Sequence, residues 1–478
     1  MDRLVPVEAA SRGTVPKSNA ASADNPTAAE ESSQARITLL LASLGFFLIT
    51  LDILIVNVAL AQISRELGGG TVGQQWVVDG YTVLFASLLL FAGNFADRIG
   101  AKRAFAIGVA LFGLTSAGCA LAPTIGSLIA ARAGQGAAAA MMLPASMALI
   151  REAFPHPGRR ARALGVWAVG GAIAAAVGPL LGGVLTTVDW RLVFGINIPV
   201  CAVMMLLLTR VATSPKRPTP FDWAGQVLGV VALTSLIYGL IHGGSVGFGS
   251  PSVIVILVIA VGSLVGFVAV EARVRHPMMP LELFGSAGMR IALLVGFAFM
   301  VGWFGTVFLG SLFLQQYLGL SPLLAGLAFL PSALLAVVGN LISGPVTIRF
   351  GTRVPVVVGM LSMAVGLTAM VVAAPLGSPV LVALLIIPIG AGGSLAMPPT
   401  TGLVLASVSP EWAGTASAVF NTFRQVGGAL AIAIFGALIA DRDRFLVGMQ
   451  ISLTIAASLL LITALVSLGI RPSREPAS

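Results

Sequence analysis

The chain has 478 residues, of which 57% are apolar and only 9% charged, a balance that no soluble globular domain approaches. Its formal net charge of +9 invites a nucleic-acid partner, but the basic residues concentrate in alternate connecting segments, which is a signature of membrane topology. A polytopic membrane protein is expected, and nucleic-acid binding is not.

Windows of about twenty apolar residues fit at roughly fourteen positions, and strand-length alternating segments are absent. The expected fold class is therefore an all-α bundle of fourteen transmembrane helices, not a barrel. Residues 1–36, rich in Ser, Ala, Pro and Glu, read as a disordered cytoplasmic tail with no cleavable signal. Six spans follow within 37–211: Ile37–Ile63, Trp76–Phe95, Phe105–Leu121, Ile125–Ile150, Ala163–Thr187 and Leu192–Val211. A polar, proline-rich linker at 212–220 marks the main boundary. Two inserted spans occupy 221–271, near Ala224–Ile241 and Val253–Val270. Six more lie within 272–470: Ile291–Gln315, Leu323–Thr347, Pro355–Val372, Val380–Val408, Ala413–Ala440 and Met449–Ile470, with a short tail at 471–478.

Basic residues follow the even-numbered spans: Arg98, Lys102 and Arg103; Arg151, Arg159, Arg160 and Arg162; Arg210, Lys216 and Arg217; Arg273, Arg275 and Arg290; Arg349 and Arg353; Arg471 and Arg474. Arg65, Arg191, Arg442 and Arg444 fall on the opposite side. Both termini are expected in the cytoplasm.

An internal repeat supports the six-two-six division. Gly93 to Arg103 follows the second span and Gly344 to Arg353 the tenth, with Gly, Arg and Gly at matching offsets; Gly136 and Pro144 correspond to Gly390 and Pro398. Under these offsets Asp97 maps to Ile348 and Arg132 to Ile386, so the second half keeps the frame and loses the charges.

Charges within apolar spans carry the chemistry, because an ionised side chain at membrane depth requires a partner, a cavity or a proton. Asp52 lies roughly 15 Å below the surface, Arg132 roughly 10 Å and Asp79 roughly 5–8 Å from the same side. Their depths are compatible with contact. A carboxylate beside an arginine stays charged, whereas one separated from it in hydrocarbon takes up a proton, so a motion that parts them would move a proton. A static structural salt bridge is the alternative, and Asp79 has a further one in a plain interfacial position.

The loop from Gly93 through Gly100 to Arg103 reads as a tight turn, with Asp97 capping the following helix or pairing with a neighbouring cation, and Arg98 and Arg103 facing anionic headgroups. Gly178, Pro179, Gly182 and Gly183 cluster in the fifth span, where small residues allow close helix approach and the proline bends the helix. Trp303 and Phe304 sit near the repeat equivalent of Asp52 and, with Asn57, Asn421 and Arg424, are placed at a substrate cavity. Cys119 and Cys201 read as packing residues, and the three histidines have no metal-site spacing. No Walker A loop and no nucleophile with a base is visible, so neither a cofactor nor enzymatic activity is expected.

With these residues assembled, the chain resembles the major facilitator superfamily, specifically its fourteen-span drug:proton antiporters, over nearly all its length after the tail. The matching stretches are Leu51 to Leu60, Gly93 to Arg103, Arg132 to Gly136, Gly178 to Gly183, Asp189-Trp190-Arg191 leading to Asn197-Ile198-Pro199, and Ala418 to Gly428. Trp76 to Tyr81 looks like antibiotic exporters. The resemblance implies two six-helix bundles around a central cavity, with two helices inserted between them, working by alternating access. It gives Asp52 as the first-span acid, Arg132 as the arginine associated with proton transfer, Asp97 and Arg98 in the cytoplasmic gating loop, and Gly178 and Pro179 in the motif associated with antiport. Ala61 departs from the proline common at that position, and the later spans lack a central acid, which argues against dicationic substrates.

The expected function is proton-coupled export of drugs or antibiotics by a monomer in a bacterial cytoplasmic membrane, with the small molecule, protons and the bilayer as partners. A related carrier for a metabolite, siderophore or lipid, or a transport-inactive sensor, remains the alternative.

Overall fold

The computed structural model describes residues 26–216, 221–409 and 412–470, and every regular element among them is helical. In chain order the helices are α1 (Pro26–Leu67), α2 (Gly70–Ile99), α3 (Ala101–Ala120), α4 (Ile125–Ala153), α5 (Pro157–Val188), α6 (Leu192–Leu208), α7 (Trp223–Val246) and α8 (Pro251–Glu271). They continue as α9 (Ala287–Leu312), α10 (Pro322–Phe350), α11 (Arg353–Ala373), α12 (Pro379–Ala406), α13 (Ala413–Leu438) and α14 (Phe445–Ser467). Thirteen are long and apolar enough to cross a membrane, and α6 is a shorter apolar helix. The protein is thus a multi-pass membrane protein.

Two expectations change in detail. Helix α1 begins at Pro26, upstream of the apolar run that opens at Ile37; the rest of the amino-terminal tail, linker residues 217–220 and the tail at 471–478 lie outside the described residues. Span six is interrupted at Ile196, between segments Leu192–Gly195 and Asn197–Leu208, and it ends short of Val211. Pro199 accounts for the interruption, since it has no N–H to return to the Gly195 carbonyl one turn earlier.

Helices α1–α6 pack on one another, chiefly α1 on α5, α2 on α4 and α3 on α4. Helices α9–α14 do the same through α10 on α12, α11 on α12 and α9 on α13. The two groups meet along two seams, α5 against α10 and α2 against α13. The inserted α7 pairs with α8 and lies across the second seam, touching both α2 and α13.

The alternating turns define two ends of the bundle. At one, Gly68, Gly69 and Gly70 join α1 to α2 with φ of 78°, 87° and 54°, a left-handed run that side chains with a Cβ resist. At the other, Gly100 joins α2 to α3 with φ of 92°. Side-chain hydrogen bonds from Gln75, Ser311 and Gln315 cross between the two helix groups toward the Gly69 end. Gln75 Nε2 donates to the carbonyls of Ile432 and Ala433, at 3.2 and 2.9 Å. Ser311 Oγ donates to the Asn57 carbonyl at 2.8 Å, and Gln315 Nε2 to that of Val58 at 2.9 Å. Toward the Gly100 end α10 becomes more exposed. Phe329 and Ala333 of α10 are buried, whereas Asn340, three turns beyond Phe329 on the same stripe, is exposed.

Candidate functional site

At the centre of the amino-terminal group, Asp52 is completely buried and forms an ion pair with Arg132, which is buried as well. Asp52 Oδ2 accepts from Arg132 Nη1, while Oδ1 accepts from Asn197 Nδ2 at 2.9 Å and Gln135 Nε2 at 3.2 Å. Gln135 also accepts from Arg132 Nη1 through Oε1 at 2.9 Å and donates to Ser116 Oγ at 2.7 Å. Arg132 Nε donates to the Val77 carbonyl at 2.9 Å, and its guanidinium lies 4.5 Å from the centre of the Tyr81 ring. Five helices therefore converge on one carboxylate: α1 supplies it, and α2, α3, α4 and α6 supply its surroundings. Desolvation of the two charges is offset by their contact and by the neutral donors around them.

Local sequence explains the convergence. Arg132 can reach Val77 because α4 crosses α2 at Gly136, where an added Cβ would stand 2.1 Å from the Tyr81 carbonyl oxygen. The interruption at Ile196 turns Asn197, at the start of the second segment of α6, toward α1. Ser116, Gln135 and Asn197 were missing from the sequence-derived candidate set. Arg132 to Gly136 and Asn197 to Pro199 flagged their stretches, but a neutral polar side chain gives no signal as strong as a buried charge.

Asp79 is placed elsewhere. Val77 faces α4, and a further two residues rotate the side chain about 200° around the helix. Asp79 therefore shares a face with Trp76 and Val83, which pack with Ile237 and Ile241 of α7 and Ala429 and Ala433 of α13. It is fully buried, and neither carboxyl oxygen has a hydrogen-bond partner. Contact with Arg132 is not made: Asp79 belongs to the seam joining the two groups and the inserted pair.

The glycine cluster of α5 divides between two neighbours. Gly178 and Gly182, one turn apart, face α1 beside Asp52; an added Cβ would lie 3.1 Å from Leu54 Cβ at the first and 2.7 Å from the Ile55 carbonyl at the second. Gly183 faces α10, where a Cβ would stand 2.7 Å from the Pro322 carbonyl, and the Pro179 carbonyl in turn lies 2.3 Å from the Cβ position of Gly326. One short segment thus packs against the acid-bearing helix and forms part of a seam.

At the Gly100 turn, Asp97 pairs with Arg151 at the end of α4, 3.5 Å away, and both are partly exposed. This is the pairing alternative and not the cap. Arg98, expected to face headgroups, lies over the ring of Phe221 at 5.0 Å. Gly100 passes close to Ser214, whose hydroxyl accepts from the Lys102 N–H at 3.0 Å. Arg103 is exposed, and Gly93 makes only an ordinary approach to Pro144.

The remaining candidates separate into packed and accessible groups. Asn57 is buried, and Phe304 is buried against Gly428, so neither lines open space here. Trp303, Asn421 and Arg424 are partly exposed. Arg424 Nη1 donates to Asn421 Oδ1 at 3.2 Å, its Nε has no partner, and its guanidinium lies 5.9 and 5.8 Å from the rings of Phe299 and Phe420. Near it a cavity of about 340 Å³ is lined by Phe284, Arg290, Leu293, Leu294, Phe297 and Phe423.

Comparison with known proteins agrees with this architecture. Residues 42–432 match the family model for the Major Facilitator Superfamily, and the chain belongs to that family of transporters. It is 37% identical over 411 residues to the multidrug resistance protein Stp of Mycobacterium tuberculosis, covering 84% of this chain and 76% of the relative. It is 34% identical over 431 residues to the methylenomycin A resistance protein of Streptomyces coelicolor, covering 89% and 90%. A solved peptide transporter of the POT type, in complex with sulfate, superposes with a TM-score of 0.66 at 16% identity over 92% of this chain and 97% of that one, a likeness of fold alone.

Proposed function

We propose that this protein exports drug-like molecules from the cytoplasm in exchange for protons, with Asp52 carrying the proton and Arg132 as its switching partner. The observation that carries the reading is the fully buried Asp52–Arg132 pair inside a transporter whose relatives are named for multidrug and antibiotic resistance. The excess of basic residues at the Gly100 end makes that end cytoplasmic and the Gly69 end external. The structure is then the inward-facing state, sealed outside by Gln75, Ser311 and Gln315.

In this state Asp52 is paired with Arg132. Opening the external end admits a proton to Asp52, and protonation removes the charge that Arg132 faces. Return to the inward-facing state restores the pair only once the proton has left toward the cytoplasm. Drug binding in the cytoplasm-facing cavity and proton binding on the same carrier thereby alternate.

The cavity side of the site indicates which drugs fit. Arg424 retains an unpartnered donor, aromatic rings flank it, and its ion-pair partners are absent among the described residues. Such a surface suits neutral or anionic compounds rich in carbonyl oxygens and disfavours dications. In everted vesicles with an acid interior, adding a transported drug should make protons leave as drug enters. Drug entry without proton movement rejects antiport.

A further inference from the structure

A pair of carboxyl groups, outside the Asp52 site, lies at the Gly100 end of the inserted helices. Asp222 caps α7, its Oδ1 accepting from the Gly225 N–H at 2.8 Å. Glu271 ends α8, its Oε2 accepting from the Met279 N–H at 2.9 Å. Both residues are buried, at 6% and 3% exposure. The two remaining oxygens, Asp222 Oδ2 and Glu271 Oε1, make no hydrogen bond among the described residues, with the Met278 N–H beside the Met279 N–H as the other backbone donor facing the Glu271 carboxyl. They converge on one point: a Cβ on Gly225 would stand 2.5 Å from the first and 2.8 Å from the second. Gly225 therefore leaves room for the two carboxyl groups to meet.

Among the described residues, basic side chains do not neutralise them. None of the ion pairs among the described residues includes Asp222 or Glu271. From α2, Arg98 lies over Phe221 instead; beyond α8, Arg273, Arg275 and His276 are exposed, as is Glu282 of the following turn. Two bare carboxylates in this contact would repel in a low-dielectric site, whereas one proton turns the repulsion into an acid–carboxylate hydrogen bond.

We propose that Asp222 and Glu271 bind one proton between them, forming a protonation site on the inserted helix pair that is separate from Asp52. The bound proton fastens three segments: the start of α7, the end of α8 and, through Met279, the segment leading into α9. Gln226, next to Gly225, extends the attachment to α2 by donating to the Ser87 carbonyl at 3.0 Å. Losing the proton would loosen the inserted pair where it braces the α2–α13 seam.

Infrared spectra of the purified full-length protein at neutral pH test this, read at the C=O stretch of a protonated carboxylic acid. Wild type minus Asp222→Asn, and wild type minus Glu271→Gln, should each show one such band lost, because the new amide supplies the donor and the surviving carboxyl ionises. Asp52→Asn should leave that band in place, which separates this result from any failure of the transport reading. Spectra unchanged by both substitutions overturn the proposal. If neither variant folds, the wild type decides: raising the pH should remove one carboxylic-acid band that Asp79→Asn retains, together with a fall in melting temperature. A constant spectrum, or stabilisation by added sodium, magnesium or calcium in place of the pH effect, overturns it as a cation site.

Discussion

Asp52 answers first to what replaces its charge. In Asp52→Asn the buried guanidinium of Arg132 loses its counter-charge, a change that typically costs about 3–5 kcal/mol. The neighbouring donors Gln135 and Asn197 remain to hold an amide oxygen, so the variant should insert and fold with a lowered melting temperature. At the proposed drug site, Arg424→Ala removes a charged donor worth roughly 1.5–3 kcal/mol to a carbonyl ligand. Efflux kinetics should show KM raised about tenfold or more for carbonyl-rich drugs with a smaller effect on kcat; an unchanged KM removes Arg424 from the cavity. The Asp52–Arg132 contact was legible in the sequence because two buried charges of opposite sign at similar depth need each other. Asp79 shows where that logic stops. Depth gives no azimuth, and only its helical spacing from Trp76 and Val83 would have turned it away from Arg132.

At the scale of elements, the α5 segment from Gly178 to Gly183 couples the acid-bearing helix to the α10 seam through contacts that tolerate no added side chain. In Gly183→Val, branched carbons would meet the Pro322 carbonyl, an overpacking that costs about 1–3 kcal/mol in the state where the seam is closed. Each 1.4 kcal/mol shifts a population about tenfold. Distances between spin labels at the Gly69 ends of α5 and α10 should lengthen, with the outward-facing population rising; an unchanged distribution shows that the seam accommodates the branch. The glycine cluster was visible in sequence, but its division between two partners was not, because Gly182 and Gly183 differ only in the face they present. Span six departs further: a continuous apolar run conceals an interruption whose cause, Pro199, was present in the sequence.

The whole molecule combines two helix groups that are tied together toward the Gly69 end, with α7 bracing one seam. Asn340→Cys should react with a membrane-impermeant maleimide in everted vesicles and not from outside intact cells, and a transported drug should slow the reaction. Labelling from the outside alone would reverse the orientation. The six-two-six order followed from composition, proline-rich linkers and repeat offsets, whereas the state of the seams did not, since it depends on pairings such as Gln315 with Val58 that no periodicity encodes.

The most direct test places Asp52→Asn in proteoliposomes and compares two driving forces on the same preparation. Exchange of drug down its own concentration gradient should continue, while an imposed pH gradient should no longer drive uphill drug movement. Uphill transport at the wild-type rate would contradict the assignment of the coupling proton to Asp52.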